Sequence, residues 1–385
     1  MSSIRPLKPD DIPAIAQLIA RAGFPKRSHD GLHWAFFGNP QQGDIPAGLL
    51  KEKEGKPVAM IGLQARDFKI DGQLEKAVVG HTFISSPEGR GAGFILARKA
   101  LKTPGIAAIY SLNNNALAGR FHKKIGLTAW LGEAGRKRME WPIRPITMAK
   151  GLALSGLARK EKLYDRLSKR EFFKVRFDRL DHYSLSQPLT QFLAPETPHH
   201  AALINEFGRH VGDGTTVSPV RTGEVYAYQM ADPDAPGRIA LIGLNEGRSL
   251  SAIMQVALTK PNSFEPAELE VIDLETVPGC DPARLIQTLI REAQSIARQA
   301  GLSRVRLPLA TRFPDKVFSH TGLKLSRRFS YDPAHAWFAD ETGEMAKNWT
   351  PTGFEGDFFF ALRLSEPMPD NEPQASARLE TVSDG

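Results

Sequence analysis

Twice along this chain of 385 residues a strand-like run gives way to a turn, a helix, a second strand and a short helix that stops at glycine. The first pass runs from Val78 to Gly126 and the second from Leu269 to Gly322. Their ends rhyme: Phe121-His-Lys-Lys-Ile-Gly-Leu127 against Val317-Phe-Ser-His-Thr-Gly-Leu323. Strands alternating with helices make the fold class α/β. The recurrence points to a duplicated domain of about 150–170 residues. Two unrelated α/β domains are the other reading of the same order.

The first half begins with a strand at Ile4–Leu7, then a helix over Ile12–Ala22 with Ile12, Ile15, Ala16 and Ile19 on one face. A polar loop follows. Strands are expected at Ala47–Glu52, Pro57–Ile70 and Val78–Ile84, with the turn Asp71-Gly72 between the last two. A helix over Phe94–Leu101, a strand over Ile106–Ser111, a helix over Asn115–Ile125 and a strand from Thr128 complete the half. The second half reads as a helix over His199–Arg209, strands at Val225–Met230, Arg238–Leu244, Leu250–Thr259 and Leu269–Val277, and a helix over Ala283–Ala300. A strand at Arg304–Leu309, a short helix over Arg312–Thr321 and strands at Lys324–Tyr331 and Phe358–Leu364 close it.

Between the halves, Lys150 to Leu180 carries ten Lys/Arg against four Asp/Glu, most of the chain's net charge of +7. Charge gathered in one segment differs from the diffuse basicity of a nucleic-acid binder, and no nucleic acid is expected. The stripe Leu163, Leu167, Phe173 fits a linker helix packed on both domains, or a peripheral membrane contact over 150–180. The tail from Glu366 to Gly385 is polar and proline-bearing, and disorder is expected there. One cysteine, Cys280, excludes a disulfide framework and a cysteine-based zinc site. His199, His200 and His210 have no carboxylate at a recognisable ligand spacing, and no metal is expected. The chain shows no apolar run of membrane-spanning length and no signal-peptide pattern, and a cytoplasmic location is the expectation.

The segment Val78-Val-Gly-His-Thr-Phe-Ile-Ser-Ser-Pro-Glu-Gly-Arg-Gly-Ala-Gly-Phe-Ile reads as a strand, a proline, a glycine-rich turn and a helix. Such a turn aims several backbone N–H groups one way, and the helix dipole adds partial positive charge. It can cradle a pyrophosphate, with Arg90 as a fixed cation, or it can be an ordinary surface turn. The two common phosphate-loop patterns, Gly-x-x-x-x-Gly-Lys and Gly-x-Gly-x-x-Gly, are absent.

Arg90-Gly-Ala-Gly93 resembles the coenzyme A loop of the GNAT acyltransferase superfamily, in which Arg or Gln is followed after two residues by Gly. Ile95 stands where that family carries Gly or Ala. The segment Asn115-Ala-Leu-Ala-Gly-Arg-Phe-His-Lys-Lys-Ile-Gly-Leu127 is similar to a second family motif, with Asn115, Ala118, Phe121, Lys124 and Gly126 in register. His122 replaces the family's tyrosine, and Leu127 its usual phenylalanine. Trp34–Pro40, the Asp71-Gly72 hairpin and Trp349…Asp357 resemble a subgroup of long GNAT-like proteins often encoded with polysaccharide or cell-envelope genes.

The resemblance implies an acyl-CoA-dependent N-acyltransferase of two tandem GNAT-like domains with mixed sheets. These are residues 1–145 with the acyl-CoA loop, a basic helical linker over 146–190, and a degenerate copy over 191–365. It implies acetyl-CoA or another acyl-CoA as a substrate, contacted by Phe83, Ile84, Arg90, Gly91, Ala92, Gly93, Phe94, Ile95 and Asn115. His122 is the candidate general acid and His81 the candidate base, because Thr82 occupies the position where the family often has an acidic residue. The acceptor implied is an amine of a small molecule or sugar. As alternatives, His81 is a packed strand histidine and His122 a surface helix residue. A non-catalytic GNAT-like protein, acting through the cleft or the basic linker helix, is the second functional class.

Overall fold

A computed structural model describes residues 2–22, 27–158, 161–167, 170, 172–173, 179–213, 216–260, 262, 264–339 and 343–357. The hairpin of β3 (Lys56–Ile70) and β4 (Gln73–Ser85) is the spine of the first sheet. Asp71 and Gly72 both take positive φ at its tip, 49° and 79°, the geometry a two-residue hairpin turn requires. β1 (Ser2–Pro6) and β2 (Gly48–Lys53) extend the sheet on one side, and β5 (Ala108–Ser111) joins β4 in parallel on the other. β6 (Thr128–Ala129) ends it.

The second sheet takes β8 (Thr190–Leu193), β10 (Ile239–Glu246), β11 (Ser249–Thr259), β12 (Glu268–Thr276), β13 (Arg304–Leu307) and β14 (Leu325–Arg328). β9 (Val217–Pro219) instead pairs with β3 of the first sheet.

Besides β9, two more strands cross between the halves. β7 (Lys137–Pro142), from the first half, lies between β13 and β14 of the second sheet. β15 (His335–Phe338), from the second half, lies between β5 and β6 of the first. The strand orders become β1-β2-β3-β4-β5-β15-β6 and β14-β7-β13-β12-β11-β10-β8. Sheet membership therefore crosses the division at residue 145, and each sheet is completed by the other half of the chain.

Helices cover the sheets where their apolar stripes dictate. α1 (Ile12–Arg21) buries Ile12, Ile15, Leu18 and Ile19 with α2 (His29–Phe37) on one face of the first sheet. α3 (Ala92–Ala100) and α4 (Ala116–Ile125) cover its other face. After the short α5 (Gly132–Gly135), α6 (Pro145–Leu157) and α7 (Glu161–Leu167) lie in the basic stretch. α8 (Pro198–Gly212) and α9 (Gly223–Met230) precede α10 (Pro282–Gln299), and α11 (Glu344–Asn348) follows β15. α10 places Leu285, Ile286, Leu289, Ile290, Ala293 and Ile296 on the second sheet with Trp141 of the exchanged β7. Each such large side chain contributes roughly 1.5–3 kcal/mol.

Several expectations are corrected. Val225–Met230 is helical rather than a strand: Thr222 caps it by accepting from Val225 N–H, and burial of Val225, Tyr226 and Tyr228 between two core clusters overrides their strand propensity. The polar loop after α1 contains α2, capped by Ser28. The helix expected over Arg312–Thr321 shrinks to a 3-10 turn at Asp315–Phe318, behind Pro314. The strand expected over Phe358–Leu364 and the tail from Glu366 lie outside the described residues, as do parts of the 150–180 stretch. Where described, that stretch meets the second half: Tyr164 and Phe172 face Phe264, and Lys260 Nζ donates to the Phe172 carbonyl.

Candidate active site

β4 and β5 pair only at Ala77–Val79 against Ala108–Tyr110. β4 then continues to Ser85 while β5 ends at Ser111, so beyond Val79 no strand among the described residues pairs with that edge. A bulge lies in the same stretch. Its register against β3 slips between Met60 and Gly62, and Thr82 takes φ 46°. A β-branched residue with positive φ in a strand is strained. Thr82 Oγ1 lies 3.0 Å from His81 Nδ1.

The turn Pro87–Gly89 leads to Gly91, the N-cap of α3, at φ 82°, a conformation open to glycine. Gly91 offers no capping side chain, so the first-turn N–H groups of α3 have no acceptor within the helix. Gly93 packs so closely on Phe83 that a Cβ there would lie 2.6 Å from the ring. Arg90 is exposed at the turn, Phe94 and Ile95 are exposed beside it, and Ala92 is buried. Ile84 is buried against the α1–α2 layer. The arrangement can present donors and a cation to an anionic group next to an unpaired strand edge.

The two candidate histidines lie on opposite faces of the sheet. His81 is buried against Phe36 of α2, with ring centroids 5.2 Å apart, and on the bare face of Gly62. Burial, with Arg66 nearby, lowers its pKa to about 3. His122 lies on the α3–α4 side, where its neighbour Phe121 stacks on Phe83 at 5.0 Å. It meets His335 of the exchanged β15 edge-on at 5.6 Å, and burial and His335 lower its pKa to about 4. Both rings are therefore neutral at pH 7, able to accept a proton but unable to act as imidazolium acids without first taking one. Asn115 caps α4 by accepting from Ala118 N–H at 2.8 Å.

Sequence reasoning missed His335 and Asn114. Asn114 Nδ2 lies 3.4 Å from His335 Nδ1, and Asn114 Oδ1 accepts from Ser111. Nothing in the sequence signals that β15 crosses into the first sheet, and without that crossing His335 has no relation to His122.

The second sheet repeats the divergence, with β12 and β13 pairing only at Leu269–Val305 and Glu270–Arg306. Here the chain's own segment 350–356 lies alongside. Thr352 donates to Asp273, Thr311 donates to the Pro351 carbonyl, and Gly353 sits against the Ile272 carbonyl. The segment then reaches the first sheet, where Tyr110 donates to the Glu355 carbonyl. At the turn before α10, Asp281 accepts from Ala283 N–H and occupies the end that the first half leaves uncapped.

No protein-family model and no curated protein sequence matches the chain. Solved structures do. An N-myristoyltransferase of Saccharomyces cerevisiae with bound myristoyl-CoA and inhibitors aligns at a TM-score of 0.54 and 12% identity, over 88% of this chain and 79% of that one. A GCN5-related N-acetyltransferase from Anabaena variabilis aligns at 0.53 and 10% identity, over 88% and 73%. A probable N-acyltransferase from Enterococcus faecalis aligns at 0.51 and 9% identity, over 88% and 73%. With two mixed sheets, each diverging beside a helix that follows a turn, the chain has the fold of the GCN5-related, or GNAT, N-acyltransferases.

Proposed function

We propose that the protein is an acyl-CoA-dependent N-acyltransferase that works in its first sheet. The observation that carries this reading is the β4 edge beyond Val79, which no strand among the described residues pairs, running through the Thr82 bulge into the α3 turn, which has no side-chain cap. Acetyl-CoA or a longer acyl-CoA would lie along that edge, with its pyrophosphate on Arg90 and the Gly91–Phe94 N–H groups and Asn115 nearby. A myristoyl-CoA complex among the similar structures supports the substrate class. The segment 350–356 occupies the equivalent place in the second sheet, which supports a single active centre. The acceptor is an amine of a small molecule or sugar.

Acyl transfer to an amine needs orientation, removal of the amine proton and a proton for the departing thiolate. The neutral His122 suits both proton steps in order: it takes the amine's proton as the tetrahedral intermediate forms, then returns it to the sulfur as that intermediate collapses. His335, itself contacted by Asn114, packs edge-on against the His122 ring. His81, buried against Phe36, supports the bulge through Thr82 and is the weaker candidate base. Titration with acetyl-CoA and longer acyl-CoAs by calorimetry tests the reading: binding is expected in the wild type and lost in Arg90→Glu. Absence of binding to any acyl-CoA would leave the second class, a non-catalytic protein of this fold. Ile95, exposed at the α3 turn where the family carries Gly or Ala, is the feature that favours that class.

A further inference from the structure

Beside the crossing strand β7 lies a cavity of about 180 Å³, walled by Asn113 and Asn114 of the loop after β5, by Arg306 of β13, Arg138 of β7 and Tyr331. A second, more open hollow adjoins it and shares Arg138 and Phe329, with Arg327 and Arg328. Four arginines line the pair of cavities, and no carboxylate is among the lining residues.

Arg138, Arg306 and Arg327 stand on a ladder that crosses one face of the second sheet, and Arg328 lies at its rim on the alternate face. Arg306 lies opposite Glu140 and Glu270, and Arg327 opposite Arg138. Glu268 and Glu270, on the neighbouring strand, form ion pairs with Arg306. Glu140 is shared by Arg138 at 3.2 Å, Arg304 at 3.4 Å and Arg327 at 2.9 Å. One carboxylate thus serves three cations. Arg138 Nε and Arg306 Nε are both buried and neither makes a hydrogen bond, although Glu140 and Glu268 lie within ion-pair distance. Burial and the crowd of Arg306, Arg304 and Arg327 lower the pKa of Arg138. Its planar face lies over Phe329, 5.2 Å from the ring centre, which fixes the guanidinium in place. A fixed fork of N–H donors with unused capacity is the geometry that grips carboxylate or phosphate.

We propose that this cavity is a binding site for a compact oxyanion, a carboxylate or phosphate group, held by Arg138 and Arg306 with Asn113 and Tyr331 at its wall. The volume suits a group of a few heavy atoms rather than a cofactor, since drug-sized sites run to about 300–1,000 Å³. The site is separate from the α3 turn and binds without acyl-CoA. Asn114 belongs to both places: it lines the cavity and contacts His335.

The test titrates the full chain with inorganic phosphate and, separately, with acetate, at constant ionic strength, by calorimetry. Saturable one-site binding of either probe is expected, and which one saturates tells a phosphate from a carboxylate ligand. Arg138→Gln is expected to weaken it tenfold or more, and Arg328→Gln, on the exposed rim, severalfold. Arg90→Glu is expected to leave it unchanged. If Arg138→Gln does not fold, Asn113→Trp, on an exposed loop position, fills the cavity instead and is expected to abolish binding. The proposal is overturned if neither probe saturates, or if binding survives both cavity variants, or if it is lost in Arg90→Glu, which would place the anion at the α3 turn.

Discussion

Two histidines with strongly depressed proton affinity, His81 and His122, give the chain a specific acid weakness, to which the buried His335 adds. An unfolded histidine titrates at 6.5, whereas His81 and His122 hold values of about 3 and about 4 in the fold. The folded values are depressed, so the native state binds fewer protons than the unfolded chain. Stability is full above pH 6.5 and falls as the pH drops through the window toward the folded values. Within that window each histidine costs about 1.4 kcal/mol per pH unit. At pH 5 that integrates to about 2 kcal/mol each, or about 4 kcal/mol together. Native carboxylates held low, such as Asp273, act at still lower pH. Urea unfolding of the wild type at pH 7.5 and pH 5 measures the total. In His81→Leu about half of the acid loss is expected to disappear, and in His122→Leu a comparable part. An acid loss of equal size in wild type and His81→Leu would refute the reasoning, because it would show that the His81 ring is protonated in the native state or that its burial carries no cost.

Asp273 accepts from Arg221, Tyr226 and Thr352, and Arg221 is 3% exposed. Burial alone would push the Asp273 carboxyl up, but Arg221 and these donors hold it below the usual range. Asp273→Asn leaves Arg221 without its principal counter-charge and is expected to cost about 3–5 kcal/mol in thermal or urea unfolding, with the 350–356 segment loosened toward proteolysis. A chain ending at residue 145 lacks β15 and exposes β7, so it is expected to be insoluble or unfolded by circular dichroism and to be rescued by coexpression with 146–385. A well-folded first half alone would contradict the strand exchange.

Local sequence rules were enough where a single element satisfies itself. The Asp71-Gly72 hairpin, the α1 and α10 stripes and the glycine stop of α4 each follow from a period or a backbone conformation written in a few neighbouring residues. The Arg90–Gly93 turn and its helix were legible for the same reason. Asn115, a ligand contact by resemblance, is in the structure the cap of α4, a role that Asn carries in its residue type.

Only the tertiary structure decided what depends on residues far apart. β7 and β15 are short, and their partners are strands of the other half, so no local pattern could assign them. That exchange creates the His122–His335 pair and sets Arg138 beside Arg306. Beyond Val79 the β4 edge meets no strand among the described residues, while segment 350–356 lies alongside β12. The chain's own residues determined two α/β halves and the glycine-rich turn that opens α3. Which strands complete each sheet, and which histidine meets which, was settled by long-range pairing, whose register is fixed by burial on the sheet faces rather than by any neighbour in sequence.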